Sequence, residues 1–312
     1  MLFWIFAAVF AAASMAALAG WLLFRYACGR SELPEGWEKD AVEKRNDAAL
    51  SAATEAGRRW LERRETEEAE VQSGDGLLLS GVFLPHIAPR ATMILFHDWR
   101  SSWEFDFLCL LPFLYGEGIQ LLLVDERAQG DSEGSYMTLG VREREDVSAW
   151  VSYAARRLGP THPIFLGGLS MGASAVLMSA SEKFEGNVRG IIADSGYTSP
   201  YDIVSLMWRN RTPFPAGFSM WVLDRFTRFF AGFGLKDCST TEVLARANYP
   251  VLLIHGEQDA SVPAYMSKRA CEACRSGKTL LLIEGAGHGM SYLTDRDRVE
   301  DAVRTFVERN LA

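Results

Sequence analysis

The most constraining feature of this 312-residue chain is a series of short apolar runs at 77–84, 91–96, 119–124, 164–166, 190–193, 251–254 and 280–283. Several, such as Ile-Gln-Leu-Leu-Leu-Val at 119–124, are apolar at nearly every position. A half-exposed strand alternates; a strand apolar on both faces belongs to a parallel sheet covered by helices. The gaps supply those helices, with helical patterns over 141–158, 173–184, 265–274 and 296–310. Strand alternating with helix predicts the α/β class, with a doubly wound and mostly parallel sheet. Composition agrees: 48% hydrophobic and 12% aromatic residues exclude a disordered chain. A net charge of −8 argues against a protein held to nucleic acid by phosphate contacts. Five scattered cysteines are too few for a disulfide scaffold.

In such sheets the working residues collect where strands end and loops begin. Gly168-x-Ser170-x-Gly172 follows one apolar run and precedes an Ala-rich helical segment, which is the setting of a nucleophile elbow. Serine there sits in a tight strand-to-helix turn, and side chains at the flanking positions would collide with neighbouring elements. A serine hydroxyl attacks only when a base takes its proton, and the base needs an acid to hold its tautomer. Asp259 follows the run at 251–254 and His288 follows the run at 280–283, in Gly285-Ala286-Gly287-His288-Gly289. The order Ser170, Asp259, His288 suits an elbow of this kind. Asp194, which ends an earlier run, is the rival for the acid.

These motifs together resemble the α/β-hydrolase superfamily, in the branch of small serine hydrolases related to serine aminopeptidases, lysophospholipases and membrane-tethered esterase-like proteins. The resemblance covers roughly 71–311. It includes Asp125-x-Arg127-x-x-Gly130-x-Ser132-x-Gly134, His255-Gly256-x-x-Asp259-x-x-Val262-Pro263 and Gly285-x-Gly287-His288. It implies an α/β-hydrolase fold and an oxyanion hole built from the backbone N–H groups of Trp99 and Met171. It also implies a helical cap inserted at about 197–240, whose Trp208, Phe214, Phe218 and Trp221 are candidates to line an acyl pocket; the competing reading has them packing the cap or facing a bilayer. One departure stands out. The family usually has His-Gly before the oxyanion residue, and this chain has His97-Asp98. A carboxylate beside a developing oxyanion is unfavourable, so Asp98 is expected to point away, toward Arg100 or Arg127.

At the other end of the chain, residues 2–24 carry no charge. About 20 apolar residues cross the hydrocarbon core as a helix, so a single-pass N-terminal transmembrane helix is expected over 1–24. A signal peptide cleaved near Ala17-Leu18-Ala19 is the rival, but no Lys or Arg precedes the run. Arg25, Arg30, Lys39 and Lys44 follow it, which places the rest of the chain in the cytoplasm. Residues 25–70 read as a charged helical linker of one or two amphipathic helices, a solvated spacer before a domain at 71–312. Cys271 and Cys274 share a helix face, but a zinc site wants four ligands and there is no second Cys pair, so no metal or other cofactor is expected. The sequence therefore reads as a membrane-anchored serine hydrolase of a small-molecule or lipid-like acyl ester. The alternatives are a serine peptidase and a non-catalytic binding protein that retains the fold.

Overall fold

The computed structural model describes residues 1–30 and 48–311, apart from the side chains of residues 8, 9, 12, 13 and 48. Residues 31–47 of the expected linker, with Lys39 and Lys44, lie outside the described residues. The strands are β1 (Glu67–Gln72), β2 (Leu78–Leu84), β3 (Ala91–Phe96), β4 (Ile119–Val124), β5 (Pro163–Leu169), β6 (Asn187–Asp194), β7 (Val251–Gly256) and β8 (Lys278–Ile283). They form one sheet in the order β1-β2-β4-β3-β5-β6-β7-β8. β1 and β2 run antiparallel, and from β4 onward the sheet is parallel.

The near-continuous apolar runs are explained by two cores, one on each face. Ile94 and Phe96 of β3 and Leu122 and Val124 of β4 face one core, while Met93, Leu95, Leu121 and Leu123 face the other. Successive side chains point to opposite faces, so a strand buried on both sides has no polar positions to spare. The first core is covered by α5 (Glu143–Leu158), α6 (Met171–Met178) and α10 (Tyr265–Ala273). The second is covered by α3 (Trp103–Phe107), α4 (Leu111–Gly116) and α12 (Arg296–Leu311). The short helices α9 (Thr240–Leu244) and α11 (Ser291–Thr294) complete the loops around β7 and β8.

The cap lies between β6 and β7 and consists of α7 (Pro200–Arg211), α8 (Ala216–Phe226) and a π-helical turn at Thr227–Ala231. Ser199 caps α7 by accepting the Asp202 N–H, and Pro200 at the first turn fixes its start.

Three expectations need correction. The boundary expected at residue 71 falls inside β1, so residues 67–70 belong to a strand of the sheet and not to a helical linker. Only Ala69 and Val71 of that strand are buried, because it is an edge strand with Glu68 and Glu70 on the outer face. Second, the linker segment α2 (Ala48–Leu61) is no loose spacer: Leu50 is buried, and Trp60 and Leu61 pack against the second core. Third, the helix after the elbow ends at Met178 rather than running to 184.

At the amino terminus, α1 (Leu2–Cys28) is helical throughout. Among the described residues no helix is long and apolar enough to cross a membrane, which leaves the transmembrane helix expected over 1–24 without support. The first turns of α1 expose Phe3, Trp4, Phe6 and Phe10, whereas Phe24 and Cys28 are fully buried in the first core. α1 therefore ends as part of the domain, not as a tether joined to it.

Candidate active site

Ser170 stands between β5 and α6 with φ 53° and ψ −105°, a left-handed conformation that a non-glycine residue adopts only under constraint. The constraint is the close approach of α6 to the end of β3. A Cβ at Gly172 would lie 2.1 Å from the Phe96 carbonyl oxygen, so only glycine fits. The turn leaves the Ser170 hydroxyl at the carboxyl end of the sheet. His288, in the loop after β8, has its Nε2 3.0 Å from Ser170 Oγ. Its Nδ1 lies 2.6 Å from Asp259 Oδ2, in the loop after β7. Asp259 is held in turn, its Oδ1 accepting the backbone N–H groups of Ser261 (2.9 Å) and Val262 (2.8 Å). The structure thus brings Ser170, His288 and Asp259 into one hydrogen-bonded series. Asp194 is elsewhere, its carboxylate accepting from the hydroxyls of Ser195 (2.9 Å) and Ser291 (3.0 Å).

The N–H groups of Trp99 and Met171 converge as expected, and their pocket is filled. Asp98 Oδ1 accepts from Trp99 N–H at 2.5 Å and from Met171 N–H at 3.3 Å, while Oδ2 lies 3.4 Å from His288 Nε2. This corrects the expectation that Asp98 points away. The two arginines expected to attract it are engaged: Arg127 binds Asp146 and Asp75, and Arg100 donates to the carbonyls of Arg25, Tyr26 and Gly29 at the end of α1. The nearest unmet donors for the carboxylate are the two N–H groups, so it turns inward.

The electrostatics follow from this crowding. Burial disfavours charge on His288, but hydrogen bonds to Asp259 and Asp98 outweigh it and raise its pKa to about 10. Burial opposes charge on Asp259 and Asp98 as well. Bonds from His255 and His288 nonetheless hold Asp259 far below the usual carboxylate range, and bonds from His288 and Ser170 hold Asp98 below it too. His288 is therefore an imidazolium between two carboxylates at neutral pH. Its Nε2–H is directed at Ser170 Oγ and Asp98 Oδ2 together. His97, next to Asp98, is fully buried, and desolvation lowers its pKa to about 4. It is neutral, with Nε2 accepting the Glu126 N–H (3.2 Å), which leaves Nδ1–H to donate to the Asp98 carbonyl (2.9 Å).

A cavity of about 850 Å³ opens over Ser170 and His288, within the range of small-molecule sites. Of the cap aromatics expected to line it, only Trp208 does. Phe214, in the turn before α8, is exposed, and so are Phe218 and Trp221, because α8 packs on α1 with its aromatic edge turned out. What the sequence missed is the wall opposite α7: Leu23, Tyr26 and Ala27 of α1. No local signal announces them, since a helix some 140 residues upstream reaches the site only by tertiary packing. Among the described residues, no group of three or more His, Cys, Asp or Glu side chains is placed to hold a metal ion. Cys271 and Cys274 are free thiols.

The sequence signature of the alpha/beta hydrolase family matches residues 77–302. An uncharacterised Bacillus subtilis protein, YqkD, is 25% identical over 249 residues, covering 80% of this chain and 81% of its own. An uncharacterised Mycobacterium tuberculosis protein, Rv2307c, is 24% identical over 240 residues, covering 76% and 77%. Among solved structures, the Pyrococcus furiosus esterase Pf2001 superposes with a TM-score of 0.65 at 23% identity, over 80% of this chain and 93% of that one. The esterase domain of a Rhodothermus marinus protein gives a TM-score of 0.56 at 18% identity, over 80% and 100%. At these identities the likeness is one of fold.

Proposed function

The chain belongs to the alpha/beta hydrolase family, and we propose that it is a serine esterase that cleaves carboxylic esters through an acyl-enzyme. The observation that carries this reading is the unbroken hydrogen-bond series from Ser170 through His288 to Asp259. Asp259 holds the proton of the imidazole on Nδ1, so that Nε2, once free of its own proton, takes the proton of Ser170 as the hydroxyl attacks the acyl carbonyl. The tetrahedral oxyanion is received by the N–H groups of Trp99 and Met171. His288 then returns the proton to the leaving alcohol, and water resolves the acyl-enzyme by the same steps. For this cycle Asp98 must leave the hole, which vacates both donors and lets His288 lose its extra proton.

The same reading places the enzyme at a membrane through α1, supported by the uncharged run at 2–24 and its exposed apolar side chains. Arg25 and Arg30 after that run favour the cytoplasmic face. The filled hole favours one other reading, a binding protein that keeps the fold without turnover. A fluorophosphonate probe separates the two, because it labels only an activated serine. We expect labelling and hydrolysis of 4-nitrophenyl esters by the full chain, both abolished in Ser170→Ala. A folded wild type that stays unlabelled would leave the binding reading in possession.

A further inference from the structure

The end of α1 serves two roles that its position makes inseparable. Leu23, Tyr26 and Ala27 line the cavity over Ser170 together with Ile203, Met207 and Trp208 of α7. Across the mouth, Arg211 Nη1 donates to the Tyr26 hydroxyl at 3.0 Å, joining α1 to the end of the cap. The exposed aromatic edge of the cap packs on the same helix: Phe230 meets Trp21 at 4.9 Å, and Phe229 beside it is 82% exposed. Phe218 and Trp221 of α8, stacked at 6.0 Å, are exposed as well. An exposed apolar face beside the uncharged run at 2–24 fits the surface of a lipid bilayer.

We propose that the last two turns of α1 are the specificity-determining wall of the acyl pocket, and that the substrate is a long-chain acyl ester that enters from the bilayer along this helix. The proposal rests on the esterase reading and adds the substrate class and the residues that measure the chain. Leu23 and Ala27 lie on the cavity side and set its width. Tyr26 and Arg211 form the polar rim where an ester headgroup would remain, as the acyl chain passes beneath them. No side chain here has a part in bond breaking; these are positioning residues.

The test uses the full chain reconstituted in phosphatidylcholine vesicles, with Leu23→Trp to narrow the pocket and Leu22→Trp, on the exposed side of the helix, as control. The reading is the ratio of kcat/KM for 4-nitrophenyl dodecanoate to that for 4-nitrophenyl acetate. Leu23→Trp should lower this ratio about tenfold or more, as expected where pocket size discriminates by methylenes, while Leu22→Trp leaves it unchanged. Should Leu23→Trp fail to fold, Tyr26→Ala, which widens the mouth, should raise the same ratio. Dodecanoate ester carried in the enzyme's own vesicles should turn over faster than ester supplied in separate vesicles. An unchanged ratio with Ser170 still labelled by fluorophosphonate overturns the wall, and equal rates for the two vesicle arrangements overturn entry from the bilayer. Loss of Ser170 labelling in the wild type would instead bring down the esterase reading beneath both.

Discussion

At the residue scale the decisive group is Asp98. An oxyanion hole accelerates acyl transfer because its donors are aimed at charge that appears only in the transition state. Here both donors already face a carboxylate, and the same carboxylate helps hold a proton on the base. Replacing it should release both constraints. Asp98→Gly is expected to be labelled by fluorophosphonate about 10-fold to 100-fold faster at pH 7, the inverse of deleting a hole donor. The pH midpoint of labelling should also move down from near 10, since one of the two carboxylates raising the His288 pKa is gone. A slower variant would mean that Asp98 takes part in the reaction. Stability should change in the opposite sense. His288 is raised in the folded state, so its pairing stabilises fully below the unfolded pKa of about 6.5 and fades as pH rises toward 10. The depressed Asp98 contributes above its ordinary range and loses that contribution in acid. Asp98→Gly should therefore melt earlier than wild type at pH 5 to 6, by about 1–3 kcal/mol, with the gap closing toward pH 10. Thermal melts across that range would check the sign.

At the scale of elements, α2 is held by one close approach. A Cβ at Gly57 would sit 2.0 Å from the Leu108 carbonyl oxygen. Propensity alone favours Gly57→Ala by about 1 kcal/mol in a helix interior. The obstacle is backbone and cannot swing aside, so the substitution should instead cost about 1–3 kcal/mol, read as a lowered midpoint in urea. The same helix shows what sequence could and could not give. Apolar runs such as 91–96 and 119–124 match β3 and β4 residue for residue, because burial on both faces leaves no other composition. Ser170, Asp259 and His288 were legible because the elbow and the strand ends place them by local rules. β1 was not, since an edge strand needs only Ala69 and Val71 on its inner face and its glutamates imitate a charged helix. Nor was the packing of α2 through Gly57, which depends on a partner some 50 residues away. The direction of Asp98 was misread for a related reason: sequence shows nearby arginines but not that α1 and Asp146 already occupy them.

At the scale of the whole molecule, α1 and the loop after β3 hold each other. Trp99 Nε1 donates to the Ala27 carbonyl at 2.9 Å, and Arg100 caps the helix end through three carbonyls. Cys28 accepts the Met137 N–H at 2.7 Å, and the Arg30 guanidinium reaches the Gly130 carbonyl at 2.6 Å, in the loop that follows β4. Phe24 fills the space between these attachments, fully buried with its ring 4.9 Å from Tyr136. Truncating it leaves a cavity that backbone tied at several points cannot close, so Phe24→Ala should cost about 3–5 kcal/mol. For a domain of this size that corresponds to a fall in Tm of about 10 °C. Phe10→Ala, whose ring is 75% exposed, removes no internal contact and should leave the melt in detergent unchanged. Because the Trp99 N–H is one of the two donors that face Asp98, loosening α1 should also speed hydrogen exchange across 97–102 in Phe24→Ala, and slow fluorophosphonate labelling before the melt begins. Equal melts for the two variants would make α1 a detachable tether; a selective loss in Phe24→Ala would make the end of α1 a structural support of the Ser170 site.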